Sequence, residues 1–287
     1  MSNMKSVAIL GVGKMGSAMA KELATAGFQV TLWNRNQSVA DKLASEINLP
    51  TVTVLATPKA ALENVDIALC LFTNGMVTQS VLLGDTQVLE GVKSNLIIVD
   101  MGTSGVESAK ALASALASKK IAFIDAPVSG SVVTIAAHQL LVMASGDEAV
   151  IQQAIPVFSV FAKKTAYLGQ AGAGQAMKLA VNLIVHTLNA AVSEGLALAT
   201  ASGIEASAAY DVFDESVVAA PFVKYKRAAF LDPELPVAMR IDTVLKDLDL
   251  ILSLGQSTGV PLMAAEGVAE LFAQAQAAGY ESQDMSA

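Results

Sequence analysis

The sequence lacks the residues from which metal sites, disulfides and nucleic-acid-binding surfaces are usually built. Its 287 residues include one cysteine and two histidines, so an internal disulfide is excluded and no zinc-binding set can be recognised. The net charge is −8 and no cluster of Lys and Arg stands out, which argues against nucleic acid as a partner. Cys70 lies in the apolar run DIALCLF and is expected to fill core space in a reducing compartment. We therefore expect neither a resident metal nor bound nucleic acid.

Membrane and targeting features are also scarce. The chain runs early into the strand-like segment VAILGVG, which argues against a signal peptide. Residues 126–146 carry no formal charge, but Pro127, His138 and Gln139 interrupt them, so a membrane span is not predicted. A hydrophobic content of 53% with an aromatic content of 5% is typical of a soluble, helix-rich globular protein. These features predict a cytoplasmic protein without a membrane partner.

The first half of the chain alternates short β-branched runs with helical patterns, which predicts a doubly wound α/β domain with a parallel sheet between helices. Two helix starts are marked. Thr57 precedes Pro58, and Ser104 is followed three residues later by Glu107, which is a capping-box pattern. The predicted strands are Val7–Leu10, Gln29–Trp33, Ile67–Phe72, Ile97–Met101, Ala122–Asp125 and Leu140–Ala144.

The second half has a different pattern. After about Lys163 the strand signal gives way to Ala- and Leu-rich helical stretches over 174–200 and 261–278, and the glycines of FAKKTAYLGQAGAG mark the boundary. We therefore predict a doubly wound domain over residues 1–163 and an all-helical domain over 164–287. The apolar excess of the second domain predicts a subunit interface.

A glycine-rich motif follows the first predicted strand. Gly11, Gly13 and Gly16 have the G-x-G-x-x-G spacing, between a strand and a helix that is followed by a second strand. In that context Gly11 permits a tight turn, Gly13 lets the backbone approach a pyrophosphate, and Gly16 lets the helix pack close to the strand. The N-terminus of the helix adds unpaired N–H groups and a positive dipole. The motif predicts a Rossmann-type domain that binds a nucleotide cofactor.

The end of the second predicted strand discriminates between the nicotinamide cofactors. An acidic residue there would accept hydrogen bonds from a ribose 2′-hydroxyl, but the sequence reads WNRN over 33–36. Arg35 can pair with a 2′-phosphate, although it could equally be an ordinary loop charge. We therefore predict NADP in preference to NAD.

Polar turns follow three further strands, in the segments FTN (72–74), MGT (101–103) and PVSG (127–130). Ligands of open α/β sheets bind outside the carboxyl ends of the strands, whereas Ser and Thr at such positions can also cap helices. A ligand-binding edge and a set of helix caps both fit these turns.

Lys178 is the only charged residue between Thr165 and Ser193. A lone lysine on an apolar helix commonly extends to solvent along its own methylenes. Asn182 follows four residues later, on the same face of the predicted helix. An ammonium and a carboxamide on one face also suit carbonyl reduction, in which Lys178 donates the proton and Asn182 orients the substrate.

Four motifs in order give the chain a wider resemblance. They are GVGKMGSAMAKELATAG, DAPVSGS, GAGQAMKLAVN and KDLDL, and they extend over nearly the whole chain. The sequence resembles the β-hydroxyacid dehydrogenases, the group of 3-hydroxyisobutyrate dehydrogenase and of glyoxylate/succinic semialdehyde reductase, which are related more distantly to 6-phosphogluconate dehydrogenase. The resemblance implies the two-domain fold predicted above, with dimers or tetramers that form through the helical domain.

The resemblance also implies roles for single residues. Lys178 matches the catalytic lysine and Asn182 the substrate-orienting asparagine, while Ser129 and Gly130 match the residues that bind the substrate carboxylate. Met239 occupies a substrate-pocket position where many relatives have Phe. Together with the glycine motif, the implied cofactor-binding residues are Gly11, Val12, Gly13, Lys14, Met15, Gly16, Asn34, Arg35, Phe72, Thr103 beside the nicotinamide, and Lys246, which with Asp247 closes over the cofactor.

Details favour one branch of the family. SGS at 129–131 and the segment NAAVSEGLALATASGI resemble the glyoxylate/succinic semialdehyde reductases, which commonly use NADPH. The implied function is an NADPH-dependent, reversible reductase of small aldehyde acids. An imine reductase of the same fold would usually have another residue at Lys178. A non-catalytic NADP-binding protein would need only the glycines and Arg35, so Lys178, Asn182, Ser129 and Lys246 together favour the reductase.

Three further residues keep two interpretations each. His138, where many relatives have glycine, is expected in a turn before a strand, and His186 lies one turn beyond Asn182. A structural role is favoured over a general base for both histidines. Arg240 could bind a second carboxylate of a substrate or form an exposed salt bridge.

Overall fold

A mixed sheet organises the first part of the chain. The structure, a computed structural model, describes residues 6–85, 87–232 and 234–287. The strands within them are β1 (Ser6–Leu10), β2 (Gln29–Trp33), β3 (Val52–Val54), β4 (Ile67–Cys70), β5 (Ile97–Asp100), β6 (Ala122–Asp125), β7 (Val128–Ser129), β8 (Leu140–Gly146) and β9 (Ala162–Tyr167). Their order is β3-β2-β1-β4-β5-β6-β8-β7, and β9 pairs with β8.

The central strands are buried on both faces, as the near-continuous apolar runs of a parallel sheet require. Alternate residues of β1 belong to different core clusters. Val7 and Ile9 pack with Met19 on one face, while Ala8 and Leu10 pack with the other cluster. The sheet therefore separates two apolar cores.

The predicted doubly wound sheet is confirmed, but it is not wholly parallel. The six strands β3-β2-β1-β4-β5-β6, in the order of the sheet, are parallel to their neighbours. Strand β8 is antiparallel to β6 and to β7. Only Ala126 and Pro127 separate β6 from β7, so β7 continues in the direction of β6, and the chain reverses between β7 and β8. The sequence did not predict β3, β7 or β9, which are short or rich in lysine.

The helices of the described residues are α1 (Lys14–Thr25), α2 (Gln37–Ile47), α3 (Pro58–Leu62), α4 (Gly75–Leu83), α5 (Val106–Ser118), α6 (Val132–Ala136), α7 (Glu148–Phe158), α8 (Ala173–Ala201), α9 (Ala206–Glu215), α10 (Pro221–Leu231), α11 (Ile241–Thr258) and α12 (Met263–Ala277). The predicted cap at Thr57 is confirmed, since its hydroxyl accepts a hydrogen bond from the N–H of Ala60 at 3.2 Å.

The predicted capping box of Ser104 and Glu107 is wrong. Helix α5 begins one residue later than that box requires, with Gly105 at the N-cap position and no side-chain cap. Gly105 has a φ of +84°, a conformation that suits glycine. Glu107 instead accepts a hydrogen bond from Lys110 within the helix.

The chain divides into two compact units, Met1–Lys178 and Leu179–Ala287. The predicted ranges were 1–163 and 164–287. Residues of the sheet continue past 163 because β9 runs to Tyr167, and hydrogen bonds hold the first turn of α8 to β6 and β8. The described part of the second unit is helical, apart from one isolated bridge between Arg240 and Asp284.

Helix α8 is the one described helix whose length and composition would suffice to cross a membrane. Of the most apolar window of α8, 22% is buried inside the protein. Its buried polar side chains include Asn182, His186 and Asn189. These side chains require polar partners, and for Asn189 the partner is the carbonyl of Met285, 2.6 Å from Nδ2.

A buried ion pair holds the segment Asp284–Ser286 in the helical unit. Lys226 is 2% exposed and its ammonium pairs with the carboxylate of Asp284. The same carboxylate accepts hydrogen bonds from the N–H groups of Ala238 (2.8 Å) and Met239 (3.2 Å). Burial alone would raise the pKa of Asp284, but its bonds with Lys226 and Ser286 lower the pKa to about 2.

Replacing Asp284 by asparagine is expected to lower the free energy of unfolding by about 3 kcal/mol at neutral pH, because the buried ammonium of Lys226 loses its counter-charge. The pKa of Asp284 is lower in the folded than in the unfolded protein. The stabilisation is therefore present above the ordinary pKa of 3.8 and is lost as the pH falls towards about 2. Urea unfolding, followed by circular dichroism at several pH values, measures both effects.

The matched control is Asp249→Asn, on an exposed aspartate of α11, which should change stability by less than about 0.5 kcal/mol. Combining Lys226→Met with Asp284→Asn should recover most of the loss, because no buried charge then lacks a partner. A double variant as unstable as the single one would contradict the role of the ion pair.

Candidate active site

The loops predicted to bind ligands lie at one edge of the sheet. Strands β1, β2, β4, β5 and β6 are parallel neighbours, so the loops after them share the carboxyl edge. The chain order reverses between β1 and β4, and open α/β sheets bind ligands at such a switch point. The predicted site residues of the first unit that follow these strands are Gly11–Gly16, Asn34, Arg35, Phe72 and Thr103, while Ser129 ends β7, the strand after β6, and Gly130 follows it.

The glycine-rich turn leaves no room for side chains at two of its three glycines. Gly11 has a φ of +97°, and a Cβ there would lie 2.6 Å from the carbonyl oxygen of Leu71. A Cβ on Gly16 would overlap the carbonyl oxygen of Gly11. A Cβ on Gly13 would meet no atom within 4 Å. The fold therefore requires Gly11 and Gly16, whereas Gly13 leaves space that the fold itself does not use.

This space fits the pyrophosphate of a dinucleotide. Gly13 is the N-cap of α1, and no side chain caps that helix or places a carboxylate in its first turn. No side-chain cap therefore competes for the N-terminus of α1, and an anion binds well to the N–H groups of a helix start. Val12 is buried, while Lys14 is exposed and Met15 is partly buried at the start of the helix.

The loop after β2 combines a structural asparagine with an exposed arginine. The amide oxygen of Asn34 accepts a hydrogen bond from the N–H of Val12 at 3.3 Å, and its nitrogen donates to the carbonyl of Asn36 at 3.0 Å. Asn34 thus joins this loop to the glycine turn. Arg35 is exposed, and helix α2 has no acidic residue in its first turn, so no carboxylate from that turn opposes a 2′-phosphate.

Aromatic packing forms one side of the glycine turn. The ring of Phe72 would contact a Cβ on Gly11 at 3.2 Å, and its centroid lies 6.3 Å from that of Trp33 in an edge-to-face arrangement. Phe72 therefore supports the turn from the loop after β4.

The two remaining loops place Thr103 and Ser129. Thr103 is partly buried and stands between Gly102 and Ser104, whose backbone polar groups are hydrogen-bonded to α8. Ser129 ends β7, and Gly130 follows with a φ of +138°. A Cβ on Gly130 would overlap the hydroxyl of Thr134, so this turn also depends on glycine.

Lys178 is partly buried and lies in the second turn of α8. The first turn is bonded to the sheet, because the carboxylate of Asp125 accepts hydrogen bonds from the N–H groups of Gly172 and Gln175, both at 3.1 Å. The hydroxyl of Ser145 accepts another from the N–H of Gly174 at 2.9 Å. The ammonium thus belongs to a helix that is anchored at the ends of β6 and β8.

Three predicted or open residues of the second unit converge on Asp247. Its carboxylate accepts a hydrogen bond from the amide of Asn182 at 2.7 Å and pairs with Lys246 at 2.8 Å. The Nε2 of His186, a fully buried residue, lies 3.7 Å from the same carboxylate. Burial alone would raise the pKa of Asp247, but His186 and Lys246 outweigh that effect, and the pKa is lowered.

The other two open residues, His138 and Arg240, and the predicted pocket residue Met239 have contacts outside the Asp247 cluster. His138 has a φ of +56° in the turn before β8, and its Nε2 lies 3.3 Å from Glu22. Arg240 forms an exposed salt bridge with Asp242. Met239 is held through its backbone by Asp284. Within the described ranges, no group of three or more His, Cys, Asp or Glu residues could hold a metal ion.

The polar residues that organise α8 were not predicted from the sequence. Gln175 is fully buried and bonds to the loop after β5, and Asp125 and Ser145 cap the helix. Burial raises the pKa of Asp125, and hydrogen bonds from Ser145 and Gln175 offset part of this rise. The signals available were the position of Asp125 at a strand end and of Gln175 just before Lys178.

Comparisons with known sequences agree with this geometry. A family model of the NAD-binding domain of 6-phosphogluconate dehydrogenase matches residues 6–169. A second, described as the NAD-binding domain of NADP-dependent 3-hydroxyisobutyrate dehydrogenase, matches residues 172–287. Glyoxylate/succinic semialdehyde reductase 1 of Arabidopsis thaliana is 33% identical over 281 residues, which cover 98% of this chain and 96% of that protein.

Solved structures share the whole fold. The 3-hydroxyisobutyrate dehydrogenase of Mycobacterium tuberculosis, solved with L-serine, has a TM-score of 0.85 at 27% identity, covering 99% of this chain and 97% of that one. An imine reductase from Pseudomonas sp. has a TM-score of 0.66 at 21% identity, covering 99% and 98%. The likeness to the imine reductase shows the fold alone.

Alanine at Gly13 and at Gly16 should have separable effects. Gly13→Ala is expected to leave the melting temperature unchanged and to weaken NADPH binding at least about tenfold, the equivalent of about 1.4 kcal/mol, because its methyl group occupies the space next to the N-terminus of α1. Gly16→Ala is expected to lower the free energy of unfolding by about 1–3 kcal/mol through overpacking. Thermal unfolding and NADPH fluorescence titration measure these effects.

Equal melting temperatures for the two variants would contradict the packing role of Gly16. Undiminished NADPH binding by Gly13→Ala would contradict a pyrophosphate position at that residue.

Proposed function

The chain belongs to the β-hydroxyacid dehydrogenase family and is an NAD(P)-dependent reductase, and from this premise we propose that it reduces small aldehyde acids of the glyoxylate and succinic semialdehyde type with NADPH. The reaction is reversible with the corresponding hydroxy acids. One observation carries the proposal. Lys178 is partly buried and lies one turn after the start of α8, and that start is hydrogen-bonded to the carboxyl edge of the nucleotide-binding sheet.

The side chains divide the chemistry among them. When bound, NADPH supplies the hydride that reaches the carbonyl carbon. Lys178 donates a proton to the carbonyl oxygen as negative charge develops there, and its positive charge stabilises that oxygen. Ser129 and Gly130 bind the substrate carboxylate through the hydroxyl and the backbone N–H. Asn182, one helical turn beyond Lys178, orients the substrate.

The roles of Met239 and Lys246 rest on the resemblance to relatives. Lys246 contacts the cofactor in this proposal, and its pairing with Asp247 supports a defined position for its ammonium. Met239 forms part of the substrate pocket, in a backbone position held by Asp284. A flexible thioether at a pocket position tolerates substrates of differing shape.

Arg35 is the residue that selects NADPH in this proposal. Its exposed guanidinium can form a bidentate pair with a 2′-phosphate. The amide of Asn34, which binds the glycine turn, keeps the loop of Arg35 beside the nucleotide-binding helix.

Assembly through the helical unit completes the proposal. Large apolar side chains are exposed on several of its described helices, among them Ile184 and Leu198 of α8, which are 65% and 71% exposed, Val212 of α9 and Tyr225 of α10. Exposed apolar surface of this kind favours a subunit interface, so we propose a homodimer or a homotetramer.

Replacing Lys178 by alanine is expected to reduce kcat roughly 10²- to 10⁴-fold, the range for loss of a general acid, while NADPH binding changes little. Initial rates of NADPH oxidation with glyoxylate, succinic semialdehyde, methylmalonate semialdehyde and a cyclic imine measure turnover and rank the substrates. Lys224→Ala, on an exposed lysine of α10, is the matched control and should keep wild-type rates.

Wild-type activity confined to the imine would support an imine reductase instead. Tight NADPH binding without any turnover would support a non-catalytic NADP-binding protein. Wild-type rates from Lys178→Ala would sink the proton-donor role of Lys178.

Replacing Arg35 by alanine is expected to weaken NADPH binding about 10- to 100-fold, because a hydrogen bond to a charged group contributes about 1.5–3 kcal/mol. NADH lacks the 2′-phosphate, so its dissociation constant should change little and provides the internal control. Fluorescence titrations with both cofactors test this, and a parallel loss of both affinities would contradict selection by Arg35.

A further inference from the structure

The side chain of Gln175 uses the full hydrogen-bonding capacity of an amide. Its Oε1 accepts hydrogen bonds from the N–H groups of Ser104 at 2.9 Å and Gly105 at 3.1 Å. Its Nε2 donates to the carbonyl of Gly102 at 2.9 Å and to the carboxylate of Asp125 at 3.0 Å. Gln175 is fully buried, and a buried network with every position satisfied is rigid.

These contacts enclose Thr103 on both sides. The carbonyl of Gly102 precedes Thr103, and the N–H groups of Ser104 and Gly105 follow it. A single amide therefore sets the backbone of the loop in which Thr103 stands. Gly102 gives the loop a second constraint, since a Cβ there would lie 2.7 Å from the carbonyl oxygen of Phe72.

The backbone of Gln175 is equally constrained. Its own N–H donates to the carboxylate of Asp125, and the hydroxyl of Ser145 donates to the same oxygen at 2.8 Å. The neighbouring Gly174 packs tightly, because a Cβ there would lie 2.6 Å from the carbonyl oxygen of Met143. The first turn of α8 can therefore neither slide nor rotate without breaking buried hydrogen bonds.

We propose that Gln175 is a positioning residue that fixes the position of the Lys178 ammonium relative to the Thr103 loop. The inference rests on the proposed function, in which Lys178 is the proton donor and Thr103 lies beside the nicotinamide. Lys178 follows Gln175 by three residues, a rise of about 4.5 Å along the helix, so a shift of Gln175 moves Lys178 with it.

No other common side chain of this length replaces the amide. The site asks for two donated and two accepted hydrogen bonds. A glutamate keeps the acceptors but loses both donors, and it places a second carboxylate next to Asp125. Methionine has a similar volume but supplies neither the donors nor the acceptors of these hydrogen bonds. The two substitutions thus separate the effect of charge from the loss of hydrogen bonds.

The experiment measures kcat, KM and the NADPH dissociation constant of Gln175→Glu across pH. At about pH 8 the paired carboxylates repel each other, and kcat should fall roughly 10- to 100-fold, the scale of a misplaced catalytic group, while KM and NADPH affinity change less than about threefold. Towards about pH 5.5 the pair shares a proton, the introduced carboxylic acid then donates to Asp125, and the ratio of variant to wild-type kcat should recover.

The rescue variant combines Gln175→Glu with Asp125→Asn, which reverses the donor and the acceptor of the hydrogen bond between the side chains at positions 175 and 125. It should regain part of kcat at about pH 8 and remove the pH dependence of the ratio, since a single carboxylate has no partner to repel. Gln153→Glu is the matched control, because Gln153 is an exposed glutamine of α7 that bonds only to the carbonyl of Ala149 among the described contacts. It should show wild-type kcat at each pH.

Gln175→Met decides the matter if Gln175→Glu does not fold. Its kcat should fall about tenfold or more, without pH dependence of the ratio and with NADPH affinity within about threefold. Wild-type kcat from Gln175→Met, or a pH-independent ratio for a folded Gln175→Glu, would overturn the inference. Absence of turnover by the wild-type protein would instead overturn the proposed function.

Discussion

The buried carboxylate of Asp125 is the constraint on which the site depends. Removing an ionised carboxylate from water costs several kcal/mol unless donors replace the lost hydration. Here the donors are the hydroxyl of Ser145, the N–H groups of Gly172 and Gln175, and the amide of Gln175. They come from β8 and from the start of α8. The carboxylate is satisfied only when these elements have docked, so the helix that carries Lys178 takes one position at the sheet.

The helical unit uses the same principle twice. The carboxylate of Asp247 interacts with Asn182 and His186 of α8 and with Lys246 of its own helix. Asp284 collects Lys226 from α10 and the backbone before α11. Aromatic residues are few, at 5% of the chain, and smooth Ala- and Leu-rich helices can pack in several registers. Buried carboxylates with several donors select one of these registers, because any other packing register would leave the buried carboxylates without their partners.

Features that depend on neighbours in sequence were predictable. The glycine turn is one, since tight packing at Gly11 and Gly16 follows from a spacing within six residues. The cap at Thr57 is another. The capping box predicted at Ser104 was wrong because the backbone N–H of Ser104 donates instead to the side chain of Gln175, 71 residues later in the chain. Strand β9 was missed because its pattern, AKKTAY, is that of an exposed edge and only its pairing with β8 identifies it.

The sequence by itself determined the fold class, the cofactor motif and the family, because periodicity, glycine spacing and the order of four motifs are properties of neighbouring residues. It also singled out Lys178 as a lone charge. Only the tertiary structure decided which polar groups satisfy one another: Gln175 with the Thr103 loop, Asp125 with the start of α8, and Asn182 with Asp247. The reason is that many side chains in the sequence can donate or accept a hydrogen bond, and only folding brings a particular pair within about 3 Å.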